Sequence, residues 1–320
     1  MRKVAMRIVV VLVYWLGIDR LFYFLNRRAK RIIVFHNVLP DEIMEKERTS
    51  GAIRLSAFVA TIRECLKEFD SSLDLFDPHT ITFTFDDGYW NLYDVVFMEM
   101  KSMGVSGYVF FAGDAESPLA IDQMRYWKLY APVTLSNGRL KDEYWNEVIW
   151  KKYRDDVNGR GAAAIIACEE AYPFAKVLSS LSRRHKELRL AKITTRQIEE
   201  MREAGWMVCW HTNSHYPLVW LDENEMLIEL SAAHFAKDVI SYPYGVDERV
   251  GRMAIDMAER LGYTAGVSNT LVSTIGFSRY FLPRLHLPGN GDKYRIHYEL
   301  SGFGHFMRTR HLLPFVNLGE

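Results

Sequence analysis

Apolar positions along the chain switch repeatedly between two periods. Arg31 to Val38 (RIIVFHNV) is a short apolar run, ended by Leu39, Pro40 and Asp41, that predicts a buried strand. Ser56 to Phe69 then sets Phe58, Ile62, Leu66 and Phe69 at helical spacing behind a serine N-cap. Residues Ile81 to Phe85 (ITFTF) read as a strand, Asn91 to Met103 as a helix stopped by Gly104, and VSGYVFF as a further strand. Thr195 to Ala204 is a helix stopped by Gly205, and WMVCW a strand. Val239 to Tyr242 precedes a helix over Asp247 to Leu261, which Gly262 closes ahead of YTAGV. Strand and helix alternating at this period predict parallel strands joined by crossover helices, as a barrel or an open sheet.

Two stretches stand apart. Glu116 to Leu190 carries Tyr144, Trp145, Val148, Ile149 and AAAIIACEEAYPFAKVLSSL, which predict helices without a strand and hence a helical insertion at about residues 116–190 of a body running from 31 to 320. Residues 1–30 form an apolar, basic segment whose longest uncharged run, Ile8 to Ile18, would rise only about 16 Å as a helix, against roughly 30 Å of hydrocarbon. Basic flanks around Trp15, Phe22, Tyr23 and Phe24 predict an amphipathic helix lying in a membrane interface; a short signal or anchor and a plainly packed helix are the alternatives. The expected location is the inner face of the membrane, peripheral, or outside the cell with an N-terminal anchor.

Charge supports treating the two parts separately. The 320 residues carry no net formal charge, but residues 1–31 hold eight Lys or Arg against Asp19 alone, leaving the remainder at about −7. Cys65, Cys168 and Cys209 are odd in number and far apart, which excludes a disulfide framework and a cysteine zinc site and fits a reducing compartment. No glycine-rich phosphate loop or basic aromatic patch in the body, residues 31–320, points to nucleotide or nucleic acid.

The chemistry-bearing residues fall at predicted strand ends. Asp86 and Asp87 follow ITFTF directly, and Gly88 lets the backbone turn away, so the two carboxylates point differently: one can hold a metal while the other stays free as a base. A lone DDG serves equally as an Asx-turn or helix cap. His211 and His215 in WHTNSHY follow WMVCW at the same kind of edge. Two imidazoles and one carboxylate would leave zinc an open fourth position, the catalytic arrangement. SYPYG (241–245) and LPRLHLPG (282–289) follow later apolar segments and put Ser241, Tyr244, Arg284 and His286 near further strand ends. Catalytic groups on several strand ends of one face are the construction of barrel enzymes.

Together, TFDDG, His211-Thr212-x-x-His215 and the opening FHNV resemble the polysaccharide deacetylase (NodB homology) family of metal-dependent carbohydrate esterases, over about residues 31–115 and 192–290. The resemblance implies a distorted (β/α) barrel of about seven strands. It implies Asp86 as general base and Asp87, His211 and His215 as ligands of a divalent metal, usually Zn2+, with Co2+, Ni2+ or Fe2+ in some members. The backbone N–H of Tyr244 would help bind the oxyanion. Two features depart from the family pattern. Ser241 stands where many members carry a base-tethering arginine, with Arg284 a conjectured substitute, and the general acid is matched loosely by His286, with His36 as another candidate. The implied activity is removal of N-acetyl groups from an amino sugar of an envelope polysaccharide or lipid-linked glycan. An O-deacetylase or deformylase, and a non-catalytic glycan-binding barrel, are the alternatives.

Overall fold

The computed structural model describes residues 2–113, 119–156, 162–231 and 238–316, with side chains from Met6 onward. Helices α1 (Arg2–Trp15) and α2 (Ile18–Leu25) precede β1 (Arg31–Phe35), β2 (Asn37–Leu39), α3 (Asp41–Lys46), β3 (Ala52–Arg54), α4 (Leu55–Leu66), β4 (Asp70–Ser71) and β5 (Thr80–Phe85). A π-helical turn, Leu92–Phe97, runs into α5 (Met98–Ser102), and β6 (Tyr108–Phe111) follows. Between β6 and the next strand the described residues fold as α6 (Ala120–Tyr130), α7 (Lys141–Tyr144), a second π turn (Trp145–Ile149), α8 (Trp150–Asp155), α9 (Ala162–Ala171), α10 (Phe174–Ser179), α11 (Arg183–Leu190) and α12 (Thr195–Glu203). The chain continues through β7 (Met207–Trp210), α13 (Glu223–Leu230), β8 (Val239–Ser241), α14 (Asp247–Arg260), β9 (Ala265–Val267), α15 (Lys293–Leu300) and α16 (Phe303–Thr309).

The main sheet runs β1-β5-β6-β7-β8-β9 with every pair parallel, and β4 adds to the start of β5. It curls until its edges meet through the irregular segment 282–285. Ser268 N and Leu282 N bond across to Leu282 O and Gly266 O, while Val34 N and Leu285 N bond to Leu285 O and Ile32 O. Leu282 and Leu285 therefore form a seventh stave between β9 and β1, and the result is the distorted (β/α) barrel that the resemblance implies, one of the two arrangements the alternation allows.

Each stave is buried on both faces, as parallel strands covered by helices must be. One parity faces outward: Ile33, Phe35, Phe83, Phe85, Val109, Val208 and Ile240 pack against Phe58, Ile62, Ile198, Met201 and Ala254 of the surrounding helices. The other parity fills the interior with Ile32, Tyr108, Phe110, Cys209, Val239, Val267 and Leu282. Thr82 and Thr84, on the face of ITFTF opposite Ile81, Phe83 and Phe85, are fully buried in this interior, their hydroxyls satisfied by Ser72 O and Ile33 O.

Three local expectations are corrected. RIIVFHNV is not one strand: the chain breaks at His36, and β2 leaves the barrel to pair with β3 in a two-stranded sheet. Ser56 is not an N-cap. It lies in the first turn of α4, whose cap position is Arg54, and its N–H and hydroxyl donate to Asp41. Asn91 to Met103 is not a regular α-helix, because its first six turn-forming residues, Leu92–Phe97, adopt π geometry. Residues 114–118, at the start of the expected insertion, lie outside the described residues.

Candidate metal centre and its base

Side-chain parity carries the polar residues to one rim. Asp86 follows Thr84 by two, His211 follows Cys209 by two, and Ser241 follows Val239 by two, so all three continue the interior-facing set at the carboxyl ends of their strands. Register sets His211 beside Ser241, since Trp210 pairs with Ile240, and sets Asp86 beside His36, since Phe85 pairs with Phe35; through the Phe85–Val109 and Val109–Val208 pairs Asp86 stands two residues before His211 along the interior face. The backbone ladder continues past the strands, with Asp86 N donating to Phe35 O and His211 N to Phe111 O.

Asp87, His211 and His215 converge there, each offering a ligand atom within 4.8 Å of the others. Asp87 Oδ1 lies 3.8 Å from His211 Nε2 and 3.6 Å from His215 Nε2. These separations are too long for hydrogen bonds and near the ~3.3 Å edge expected between donors about 2.05 Å from a tetrahedral zinc. His211 Nδ1 is 2.6 Å from Ser241 O; a carbonyl only accepts, so Nδ1 carries the proton and Nε2 presents a bare lone pair toward Asp87. Burial lowers both imidazoles, His215 to about 3 with His211 adding to the effect, so each is neutral at neutral pH, as a metal ligand must be. The donor set and its spacing thus fit a divalent ion with an open position.

The backbone shows what the convergence requires. Among the described residues five non-glycines have positive φ, and four of them, Asp87 (80°), Thr212 (65°), His215 (55°) and Tyr244 (62°), are in or beside this cluster. Such strain persists only where surrounding contacts impose it. Gly88 (φ 71°) could not be replaced freely, because a Cβ there would stand 2.5 Å from the Phe111 ring.

Asp86 is held apart from the ligand cluster by Arg284. The guanidinium donates to both carboxylate oxygens, Nη1 to Oδ1 at 2.8 Å and Nη2 to Oδ2 at 2.7 Å, and also to Ser241 Oγ at 2.9 Å, Thr84 Oγ1 at 3.2 Å and Ser268 O. Both residues are almost wholly buried. Burial alone would raise the Asp86 carboxyl, but the Arg284 charge and its hydrogen bonds hold it well below the usual carboxylate range. Ser241, at the position where many members of the resembled family carry an arginine, accepts from the arginine that the closing stave brings across the barrel.

His36 and His286 stand at the ends of the first and closing staves. His36 Nε2 is 3.8 Å from Asp86 Oδ2. The His286 ring is exposed, with Nε2 donating to Asn269 O at 3.2 Å. Tyr244 turns its ring to within 5.1 Å of His215, and its hydroxyl meets that of Tyr153 from α8. No described residue accepts from the Tyr244 backbone N–H.

A buried polar layer behind the cluster has no signal in the sequence pattern. Lys192 Nζ donates to Asp87 O at 2.7 Å and lies 4.2 Å from the Tyr89 ring centre; burial lowers it to about 8 despite Asp87 nearby. Tyr89 donates to Asp122 Oδ2 at 2.7 Å, and Arg189 bridges Asp122 Oδ1 and Asn37 Oδ1. Glu229 Oε2 accepts from Ser214 N and so pins the loop carrying His215.

No protein-family model matches the sequence, and no curated protein matches it. Solved structures do. A Streptococcus pyogenes deacetylase, PplD, solved in complex with acetate, superposes with a TM-score of 0.51 at 15% identity, covering 84% of this chain and 97% of its own. The fold is that of the polysaccharide deacetylases. IcaB from Ammonifex degensii has the same architecture, with a TM-score of 0.51 at 13% identity over 85% of this chain and 97% of its own. At such identities the likeness to both concerns the deacetylase fold; the chemistry of this chain rests on its own rim residues.

Proposed function

We propose that the chain is a metal-dependent hydrolase that removes N-acetyl groups from an amino sugar of an envelope polysaccharide or lipid-linked glycan. The observation that carries the reading is the pairing, at one rim, of a three-ligand metal cluster with a second carboxylate that the Arg284 fork keeps ionised and separate from it. PplD, described as a deacetylase and solved with acetate, has the same fold and supports the reading. Asp87, His211 and His215 would hold the ion. When bound, it supplies Lewis acidity toward the acetyl carbonyl and lowers the pKa of a water from about 15.7 to about 7.

The remaining work falls to the chain. Arg284 engages one lone pair on each Asp86 oxygen, which leaves a further lone pair on each to accept the proton of the attacking water. The Tyr244 N–H, from which no described residue accepts, donates to the oxygen on which charge develops at the acetyl carbon. His286, exposed at the rim and within electrostatic reach of Asp86, protonates the departing amine. Positioned acid–base groups of this kind contribute about 10²- to 10⁴-fold each.

The absence of an arginine at position 241 would favour a glycan-binding barrel without activity, but Arg284 makes the two contacts to the base, Asp86, that such an arginine would make. The test is acetate release from oligomers of N-acetylglucosamine by the zinc-loaded chain. Turnover that disappears with chelation and returns with zinc supports hydrolysis; tight oligomer binding with no acetate released assigns the barrel to binding instead.

A further inference from the structure

We propose that α1 and α2 form a monotopic docking face for an anionic lipid bilayer. The two helices are joined at Gly17, which caps α2 in the left-handed conformation, and they meet at 74°. No single helix among the described residues is long and apolar enough to cross a membrane. The inner face of α1, Val10 and Val13, packs on Tyr298 of α15, and Phe22 of α2 packs on Phe303 and Phe306 of α16. The opposite face is apolar too, and bare: Leu12, Trp15, Leu16 and Phe24 are 50–71% exposed, with Ile8 and Leu21 beside them. An apolar ridge continuous over two helices is far more than the scattered surface leucine of an ordinary domain.

Charge decides what covers it. The only acid of residues 1–31, Asp19, is buried against the protein, 3.9 Å from His297. Of the described basic residues in the segment, Arg20 is paired with Glu68 and Arg31 is buried, while Arg7, Arg27 and Arg28 are exposed and no described acid pairs with them. Arg27 lies 4.5 Å from the Phe24 ring centre, the side-by-side placement of aromatic and cation that suits a headgroup boundary. A second copy would set arginine against arginine across a symmetric contact, whereas anionic headgroups complement both parts of the face.

The placement also relates the face to the rim. Tyr14 packs edge-on to Tyr294 in the first turn of α15, with ring centres 5.2 Å apart. Lys293, which opens α15, follows His286 by seven residues, a reach of at most about 25 Å. A bilayer on α1 and α2 would lie on the flank of the barrel, within tens of ångströms of the rim. That distance suits a sugar carried on a lipid, and this last clause alone rests on the proposed activity.

The test is flotation of the full chain with phosphatidylcholine vesicles and with vesicles in which about a third of the lipid is phosphatidylglycerol. Binding is expected to the anionic vesicles and to weaken as salt shortens the Debye length. Leu12→Ser with Leu16→Ser, which leaves Val10 and Val13 in place, should abolish it. Arg7→Gln with Arg28→Gln should lower partitioning roughly thirty-fold, at about one kcal/mol per basic residue. Folding of each variant is checked by circular dichroism, and acetate release from a soluble oligomer reports separately on the proposed activity. Absence of vesicle binding by the folded wild type overturns the assignment. So does concentration-dependent dimerisation, abolished by the same leucine substitutions, in a chain that ignores vesicles.

Discussion

Replacing Arg284 by methionine should turn Asp86 from a stabilising group into a destabilising one, and the pH dependence should show it. In the wild type the Asp86 carboxyl lies well below its usual value, because Arg284 more than offsets burial. A depressed carboxyl contributes stability that is present above the unfolded pKa of about 3.9 and is lost only as pH falls toward the folded value. Without the guanidinium, the same carboxylate stays buried at 1% exposure, and burial now raises its pKa. The sign reverses: the ionised form opposes folding at neutral pH, and protonation relieves the penalty as pH falls through the raised value. Breaking a buried pair from one side costs about 3–5 kcal/mol, and Arg284 also leaves Ser241 Oγ and Ser268 O without their donor. Urea denaturation of the metal-free chain should therefore show a deficit of that order near pH 7.5, shrinking toward about pH 5. Arg284→Lys, which keeps the charge but not the fork, should recover only part of it. A deficit below about 1 kcal/mol, or one that does not change with pH, would refute the reasoning.

Three further outcomes follow from the geometry. Gly88→Ala forces a left-handed alanine whose Cβ meets the Phe111 ring, so it should cost about 1–3 kcal/mol in thermal denaturation and lower metal affinity by moving Asp87. The lowered His215 pKa means the folded chain binds fewer protons than the unfolded one between about pH 6.5 and 3. The metal-free protein should thus lose stability as pH falls through that window, and His215→Gln should flatten the loss. His286→Ala should lower turnover on an N-acetyl sugar by about 10²-fold or more with little effect on an acetyl ester bearing a good leaving group, whereas His36→Ala should act on both through Asp86; equal losses on both substrates for His286→Ala would remove it as the acid.

The barrel and the positions of the acid pair and the histidine pair were legible because each strand ends where its apolar pattern ends, and parity then fixes which residues face inward. Arg284 was reachable only as a conjecture. Its stave, Leu282-Pro283-Arg284-Leu285, has no alternating pattern and owes its place to hydrogen bonds with β1 and β9, far away in sequence. The break at His36 was hidden for a similar reason, since RIIVFHNV is apolar on both sides of it and only the pairing of β2 with β3 separates the two. The layer of Lys192, Tyr89, Asp122 and Arg189 draws its partners from three separate regions, and no local spacing marks any of them.

The most direct test of the central claim measures bound metal and acetate release together in the wild type, Asp86→Asn and the His211→Ala, His215→Ala double variant. Asp86→Asn should keep its metal and lose turnover, and the double variant should show neither metal nor turnover. Stoichiometric metal in the double variant, or acetate release from metal-free protein, would contradict it.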